Sequence, residues 1–238
     1  MEPTRGGYAT DTLDALAAEL RAVRAAGEEP VVVLHAGALP DWVIAHHGWL
    51  DPDVLAGWSC YVDRVAQRVG TQVRWWAPIR GPLEEASWYD GDARAALRVL
   101  LDAHAAAYLH LHRTVGFGGR PPAIGTIATW ARWTADTLRG RAEVALRERL
   151  GPDAWVGVLA SGKLAPPFAL VGELPNGTPA LDFVGVDWAG VVTLPGEAQV
   201  GDDDAARDHT LQRLGGLGKP IFLTSGERPA GVGVRWVG

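Results

Sequence analysis

The chain has 238 residues, a formal net charge of −6 and 21% charged residues, a composition typical of a globular protein with one sizeable hydrophobic core. The negative charge argues against nucleic acid or an anionic membrane surface as the main partner, and no apolar run reaches the ~18–20 residues of a membrane span. Because Cys60 is the single cysteine and no signal segment is recognisable after Met1, we expect a cytoplasmic protein.

Helical and strand-like patterns alternate along the chain. Apolar spacing, caps and breakers predict helices over residues 10–26, 52–69, 93–112, 137–150 and 205–214. Short apolar runs predict strands over residues 30–34, 73–76, 124–130, 183–188, 220–224 and 232–237. Residues 151–179 are rich in proline and glycine, and we expect no regular element longer than a few residues there.

Strands that alternate with helices at this spacing indicate βα units and a parallel sheet. Right-handed crossovers then allow an open doubly wound sheet or a closed barrel, and periodicity does not choose between them. The sequence contains neither an internal repeat nor an obvious linker, so we predict a single domain over residues 1–238.

Five segments in the same order resemble the family-1 glycoside hydrolases, the β-glucosidase family. Residues 29–42 resemble the family's EPVVTLHHFTLPAWL, residues 48–50 its GGWL, residues 73–82 its VKYWITLNEP, residues 181–188 its LDFLGINYY and residues 219–226 its KPIFITEN. The resemblance implies an α/β fold of the (β/α)₈ TIM-barrel type, with the active site at the carboxyl ends of the strands.

On this mapping the chain begins just after the family's second strand, because residues 1–3 fall where the family reads RxEP. The resemblance therefore implies a barrel of six βα units or fewer. Either the protein is a six-stranded remnant, or the true start codon lies upstream and Met1 is internal.

The resemblance also implies that the hydrolytic groups are missing. Retaining hydrolysis requires two carboxyl groups ~5–5.5 Å apart, which the family takes from the Glu of NEP and the Glu of TEN. Those positions are Gly81 and Ser225 here. The family's sugar-contacting His corresponds to Ala36, its neighbouring aromatic residue to Gly37, and the Asn before its acid/base to Arg80.

Other polar residues near the strand ends are candidates for a ligand pocket. The mapping places five ligand-binding candidates at the barrel mouth, namely His35, Arg80, Asp187, Trp188 and Ser225. A sixth candidate, Glu227, follows two residues after Ser225. These groups suit a small polyol or an anionic ligand. Glu84, Glu85 and Asp90 follow Pro82, and we interpret them as solvated loop acids rather than replacement catalytic groups.

Weaker motifs do not change this interpretation. Residues 157–163 have the spacing of a phosphate-binding loop, but Leu164 replaces the metal-binding Ser or Thr, and Pro166 and Pro167 forbid the following helix. His46, His47, His110 and His112 lack companions at metal-ligand spacing, so we predict no metal site and no cofactor. We interpret the acidic run at residues 202–204 as a solvated loop. We interpret most of the eleven tryptophans as packing residues.

Three functions remain open from the sequence. The first is a catalytically degenerate relative of β-glucosidases that binds a small polar or carbohydrate-like ligand. The second is a repurposed non-hydrolytic enzyme, such as a cyclase, dehydratase or isomerase, with His35, Arg80 and Asp187 as the residues to test. The third is a residual β-glycosidase. The sequence carries no signal for an oligomeric state.

Overall fold

The computed structural model describes residues 4, 6–163, 177–194 and 198–224. The chain divides into two compact units, residues 1–125 and residues 126–238. The strand predicted over residues 232–237 and the candidates Ser225 and Glu227 lie outside the described residues. Within the described ranges, no helix is both long enough and apolar enough to cross a membrane.

The first unit contains five helices and the parallel strands that they flank. In chain order its elements are α1 (Thr10–Ala25), β1 (Val31–His35), α2 (Asp41–Ile44), α3 (Val54–Val69), β2 (Trp75–Ile79), α4 (Pro82–Ser87), α5 (Ala93–Thr114) and the start of β3 (Ala123–Ala135). Short 3₁₀ turns occupy Gly48–Leu50 and Gly70–Gln72.

The parallel register of these strands places their carboxyl ends side by side. Val31 of β1 is paired with Trp75 of β2, and His35 is paired with Ile79, the last residue of β2. Strand β3 adds on the other side of β2, with Trp75 opposite Ala123. All five residues of β2 are buried, as expected for a strand that is covered on both faces. Side chains that follow β1 and β2 therefore meet at one edge.

Within its described residues, the second unit continues β3 and adds three helices and three strands. They are α6 (Leu138–Leu150), α7 (Pro152–Ser161), β4 (Phe183–Leu194), β5 (Ala198–Gly201), α8 (Asp204–Gly215) and β6 (Ile221–Thr224). Strand β4 neighbours β3, pairs antiparallel with β5 and pairs parallel with β6 from Val184 to Asp187.

The prediction of irregular structure from residue 151 onward is wrong for its first part, where α7 forms. Pro152 occupies the first helical turn, where its missing N–H costs nothing. Gly162 ends the helix in the left-handed conformation, with φ of 71°. The apolar side chains between these two signals, Trp155, Val156, Val158 and Leu159, are buried. The segment that resembled a phosphate loop is therefore helical through Ser161.

The other predicted helices and strands among the described residues are confirmed within a few residues, apart from the lengths of β3 and β4. Both strands run five or more residues beyond their predicted ends, and Thr134 of β3 and Thr193 of β4 are 2.9 Å apart through their hydroxyl oxygens. These extensions are mostly half-buried rather than fully apolar, so a search for continuous apolar runs misses them. Helices α2 and α4 were also missed, because four to six residues are too few to show a helical period.

Two glycine-to-alanine variants test the packing of the second unit with opposite expected signs. A Cβ built on Gly185 of β4 would lie 2.6 Å from Cγ1 of Ile127, so Gly185→Ala should destabilise the protein by about 1–3 kcal/mol. Gly157 lies on the exposed face of α7 with no atom near its Cβ position, so Gly157→Ala should stabilise by up to about 1 kcal/mol. Urea unfolding measures both, and equal effects of the two changes would contradict this packing.

Candidate functional site

The carboxyl ends of β1 and β2 bring two of the predicted ligand-binding residues together. His35 is the last residue of β1, and Arg80 follows β2 directly. The backbone N–H of Arg80 donates a hydrogen bond to the carbonyl oxygen of His35 at 2.9 Å. The two residues therefore lie side by side at these strand ends, and their assignment to a ligand pocket stays a prediction.

The turn after Arg80 has a backbone conformation that favours glycine. Gly81 has φ of 64° and ψ of 47°, in the left-handed region that side chains other than glycine adopt at a cost. Its carbonyl oxygen accepts the N–H of Glu85 at 2.9 Å, which starts α4 without any intervening loop. Gly37, two residues past His35, is also left-handed, with φ of 84°. Both positions carry side chains in the resembled family.

Helix α4 buries an acid that the sequence analysis interpreted as solvated. Pro82, Glu85 and Ala86 are the buried residues of this helix, because residues three and four apart share one helical face. Glu84 points to the other face and is exposed, as is Asp90. The prediction of solvated loop acids is thus wrong for Glu85. Glu84 is solvated but lies on α4 rather than in a loop, and Asp90 is solvated as predicted.

Glu85 and His35 form a buried pair. Nε2 of His35 lies 3.1 Å from Oε2 of Glu85, and the two side chains are only 3% and 1% exposed. The atoms are within ion-pair distance, but their angles are not those of a hydrogen bond, and among the described residues neither carboxylate oxygen has a hydrogen-bond partner. Desolvation makes such a pair energetically costly, and an imidazole beside a carboxylate is a combination that can transfer protons.

Aromatic side chains surround this pair. The ring of Trp49 meets the ring of His35 edge to face, with centroids 5.2 Å apart. The hydroxyl oxygen of Tyr89 accepts the backbone N–H of Trp49 at 2.8 Å. Burial raises the pKa of the Tyr89 hydroxyl above its ordinary value; the hydrogen bond from Trp49 works against this rise, and the nearby carboxylate of Glu85 adds to it.

Trp88 is a candidate that the sequence analysis did not single out. It follows α4 and is 67% exposed, and a Cβ built on Gly37 would lie 3.5 Å from the tip of its ring. The missing side chain at position 37 therefore leaves room beside an exposed indole. The signal available in the sequence was Gly37, where the resemblance implies an aromatic residue, together with a tryptophan shortly after the second strand.

In the second unit, Asp187 and Trp188 are consecutive residues of β4. Asp187 is paired in the sheet with Thr224 of β6, and Nε1 of Trp188 donates to Oδ1 of Asp202 at 2.6 Å. The indole N–H of Trp188 is thus already used within the unit. The assignment of both residues to a ligand pocket stays a prediction.

The acidic run at residues 202–204 has a structural role beyond solvation. Asp203 caps α8, because its Oδ1 accepts the N–H of Ala206 at 2.9 Å, and its other oxygen pairs with Arg132. The backbone hydrogen bond from Ala206, followed by the hydrogen bond from Arg132, holds the pKa of Asp203 below its ordinary value. The interpretation as a purely solvated loop is therefore wrong for this residue.

The histidines considered as metal ligands occupy separate places. Nε2 of His110 lies 3.1 Å from Oδ1 of Asp63, and His112 packs on the ring of Tyr108 with centroids 4.5 Å apart. Among residues 4, 6–163, 177–194 and 198–224, no three His, Cys, Asp or Glu side chains are grouped as a metal site would require.

The fold is similar to that of β-glucosidases of known structure. A family 1 β-glucosidase from Thermotoga maritima in complex with isofagomine lactam matches with a TM-score of 0.72 and 17% identity over 90% of this chain and 57% of that one. A β-glucosidase from Exiguobacterium marinum matches with a TM-score of 0.74 and 17% identity over 93% of this chain and 61% of that one. The structure is thus an α/β fold like part of a TIM barrel.

These similarities cover a limited part of the solved proteins. The chain spans about three fifths of the length of these two β-glucosidases, and the absence of the first two strands stays a prediction. Neither a protein-family model nor a curated protein matches the sequence.

Substitutions of the buried pair test its energetic role. Glu85→Leu leaves His35 without its acidic neighbour and should destabilise the protein by about 3–5 kcal/mol. The double change His35→Leu with Glu85→Leu removes both polar groups and should cost less than the sum of the single changes, since no polar group is left buried alone. Urea unfolding of the four proteins gives the coupling energy.

The matched control is Glu84→Leu, which changes an exposed acid on the same helix and should shift stability by less than about 0.5 kcal/mol. Additive effects of the two single substitutions would show that His35 and Glu85 are not energetically coupled.

Proposed function

We propose that this chain binds a small polar or carbohydrate-like molecule and does not hydrolyse glycosidic bonds. The observation that carries the proposal is the left-handed backbone of Gly81 at the position where the resembled family has its acid/base glutamate. Glycine supplies no carboxyl group, and a side chain in this conformation would add strain of roughly 1–2 kcal/mol.

The chemistry of glycoside hydrolysis supports the same conclusion. Both retaining and inverting enzymes require a pair of carboxyl groups that flank the scissile bond. The family's second carboxylate corresponds to Ser225, and a serine side chain carries no carboxyl group. Glu85 is a poor replacement for the first carboxylate, because its carboxyl group is buried beside His35 and almost fully shielded from solvent.

Ligand binding is supported by Trp88 and Arg80 at the same strand ends. Trp88 presents a large exposed face, on which the apolar face of a sugar ring can pack. Arg80 is half-buried and offers a planar set of N–H donors for hydroxyl or carboxylate oxygens. The Thermotoga maritima β-glucosidase was solved with isofagomine lactam, and we carry over to this chain only that ligand's general class.

The experiment combines an activity assay with a binding assay. With p-nitrophenyl β-D-glucoside, release of nitrophenol should not exceed the enzyme-free blank. Methyl β-D-glucopyranoside, titrated in a heteronuclear NMR experiment, should shift the indole resonance of Trp88, and Trp88→Ala should weaken binding at least fivefold, which is about 1 kcal/mol.

Ile44→Ala provides the control, because Ile44 is an exposed apolar side chain of the same unit and should leave binding unchanged. Turnover of the glucoside at roughly 1–10³ s⁻¹, the range of ordinary enzymes, would refute the absence of hydrolysis. Binding that is insensitive to Trp88→Ala would refute the binding surface.

A repurposed non-hydrolytic enzyme is the second candidate, and the buried pair of His35 and Glu85 favours it. Buried acid–base pairs at strand ends occur at catalytic sites as well as in structural networks. Isomerisation or dehydration needs one group that removes a proton next to a carbonyl, and either partner has the chemistry to do so.

Deuterium exchange distinguishes this candidate from simple binding. In D₂O, a panel of small hydroxy ketones would gain deuterium next to the carbonyl if the pair acts as a base, and NMR detects the exchange. Glu85→Gln should abolish the exchange, whereas Glu84→Gln, an exposed neighbour on the same helix, should not. If deuterium exchange persists in the Glu85→Gln variant, the pair of His35 and Glu85 is not the base.

A further inference from the structure

The first unit contains an aromatic cavity that the proposed function does not use. It has a volume of about 140 Å³ and lies between the end of β1, helix α2, the 3₁₀ turn Gly48–Leu50 and the first half of α3. A cavity of about 150 Å³ is large enough for one benzene-sized molecule. It is not a closed void, because exposed residues such as Ala38 and Asp53 belong to its lining, so a small molecule can reach it from solvent.

Four aromatic side chains line the cavity: Trp42, Trp49, Trp58 and Tyr61. The rings of Trp49 and Trp58 lie with centroids 5.5 Å apart, and those of Trp58 and Tyr61 lie 5.7 Å apart. Two of these three rings are held by hydrogen bonds, because Trp58 donates to the carbonyl of Ala103 at 2.9 Å and Tyr61 donates to the carbonyl of Leu34 at 3.0 Å. Among the described residues, Nε1 of Trp49 has no hydrogen-bond partner.

Trp42 faces this group across the cavity from the segment that follows β1. A Cβ built on Gly57 of α3 would lie 3.9 Å from Cη2 of Trp42, and Gly57 itself lines the cavity. The absence of a side chain at Gly57 therefore keeps open the space between α3 and Trp42. Trp42 is half-buried, so this ring forms the outer side of the cavity.

The charged groups that line the cavity are acidic. Asp51 and Asp53 contribute to its lining, and their turn is ordered by a hydrogen bond from the N–H of Asp53 to Oδ1 of Asp51 at 2.7 Å. Among the described residues, the lining includes no Lys or Arg. Among the described lining residues His35 is the one basic side chain, and Oε2 of Glu85 lies 3.1 Å from its Nε2.

We propose that this cavity binds a small alkylated ammonium ion, of a size between tetramethylammonium and choline. Aromatic faces attract such cations through their quadrupoles, and the attraction is strongest where the cation is removed from water. The methyl groups fill the apolar space, and Asp51 and Asp53 supply the opposite charge. The proposal uses residues other than Trp88 and Arg80, so it does not depend on the strand-end ligand.

The first experiment separates charge from shape. Choline and its neutral isostere 3,3-dimethylbutan-1-ol are titrated separately, and NMR follows the indole N–H resonances of Trp49 and Trp58. Choline should bind at least tenfold more tightly than the isostere, because both fill the cavity and only choline carries the charge. Equal affinities would overturn the proposal in favour of a purely apolar site, and no shift with either compound would overturn it entirely.

Substitutions then locate the binding. Asp53→Asn should weaken choline binding by about three- to tenfold and leave the isostere unchanged. Its control is Asp90→Asn, which removes the same charge at an exposed position away from the cavity lining. If both changes weaken choline binding equally, the effect is due to the overall charge of the protein, and a local site is contradicted.

Filling the cavity is the last test. Gly57→Leu places a side chain into the space between α3 and Trp42 and should abolish binding of both compounds. Ala56→Leu makes a similar addition on the exposed face of the same helix and should have no effect. Because leucine is a better helix former than glycine, loss of binding in Gly57→Leu with an unchanged unfolding midpoint is due to the filled cavity. Retained binding in that variant would refute the site.

Discussion

The buried contact between His35 and Glu85 determines how the strand ends of the first unit are arranged. Two ionisable side chains that are almost fully withdrawn from water are tolerated only when each has the other close by. That closeness depends on the parallel register that ends β1 next to β2, and on the direct start of α4 after Gly81. A shift of β1 by one residue would turn His35 to the opposite face of the sheet, away from Glu85 of α4.

The surroundings of the pair give the two faces of this region different chemistry. Towards Gly37 and Trp88 the strand ends are open, with an exposed indole and space where a side chain is missing. Towards α3 the same His35 borders a cavity that is lined in part by four aromatic side chains. The proposed sugar-like ligand concerns the surface beside Gly37 and Trp88, where hydroxyl groups can bind. The proposed alkylated ammonium ion concerns the aromatic cavity, where methyl groups can pack.

Much of the fold could be predicted from sequence patterns, because apolar residues that become buried recur at the period of the helix or strand that carries them. The helices α1, α3, α5, α6 and α8 and the strands β1, β2 and β6 were predicted from apolar spacing, and they are present. The helix α7 was missed because proline and glycine were taken as signs of irregular chain, although Pro152 and Gly162 mark its start and its end. The resemblance placed His35 and Arg80 together, which periodicity alone would not have done.

The local roles of individual acids could not be predicted in the same way. Glu84 and Glu85 are neighbours of identical type, and only the helical phase of α4 decides that one is solvated and the other buried. That helix is too short to reveal its phase in the sequence. Asp203 likewise lies within a run of three acids, and its position at the start of α8 makes it a cap. The partners of these side chains are set by tertiary structure and leave no pattern along the chain.

The left-handed turn at Gly81 also limits which residues this position can accept. A single codon change can place a glutamate there, but the main chain has a conformation that disfavours any β-carbon. A carboxylate at this position would therefore require the turn between β2 and α4 to be remodelled together with the residue. One substitution alone is a poor route to a carboxylate at this strand end.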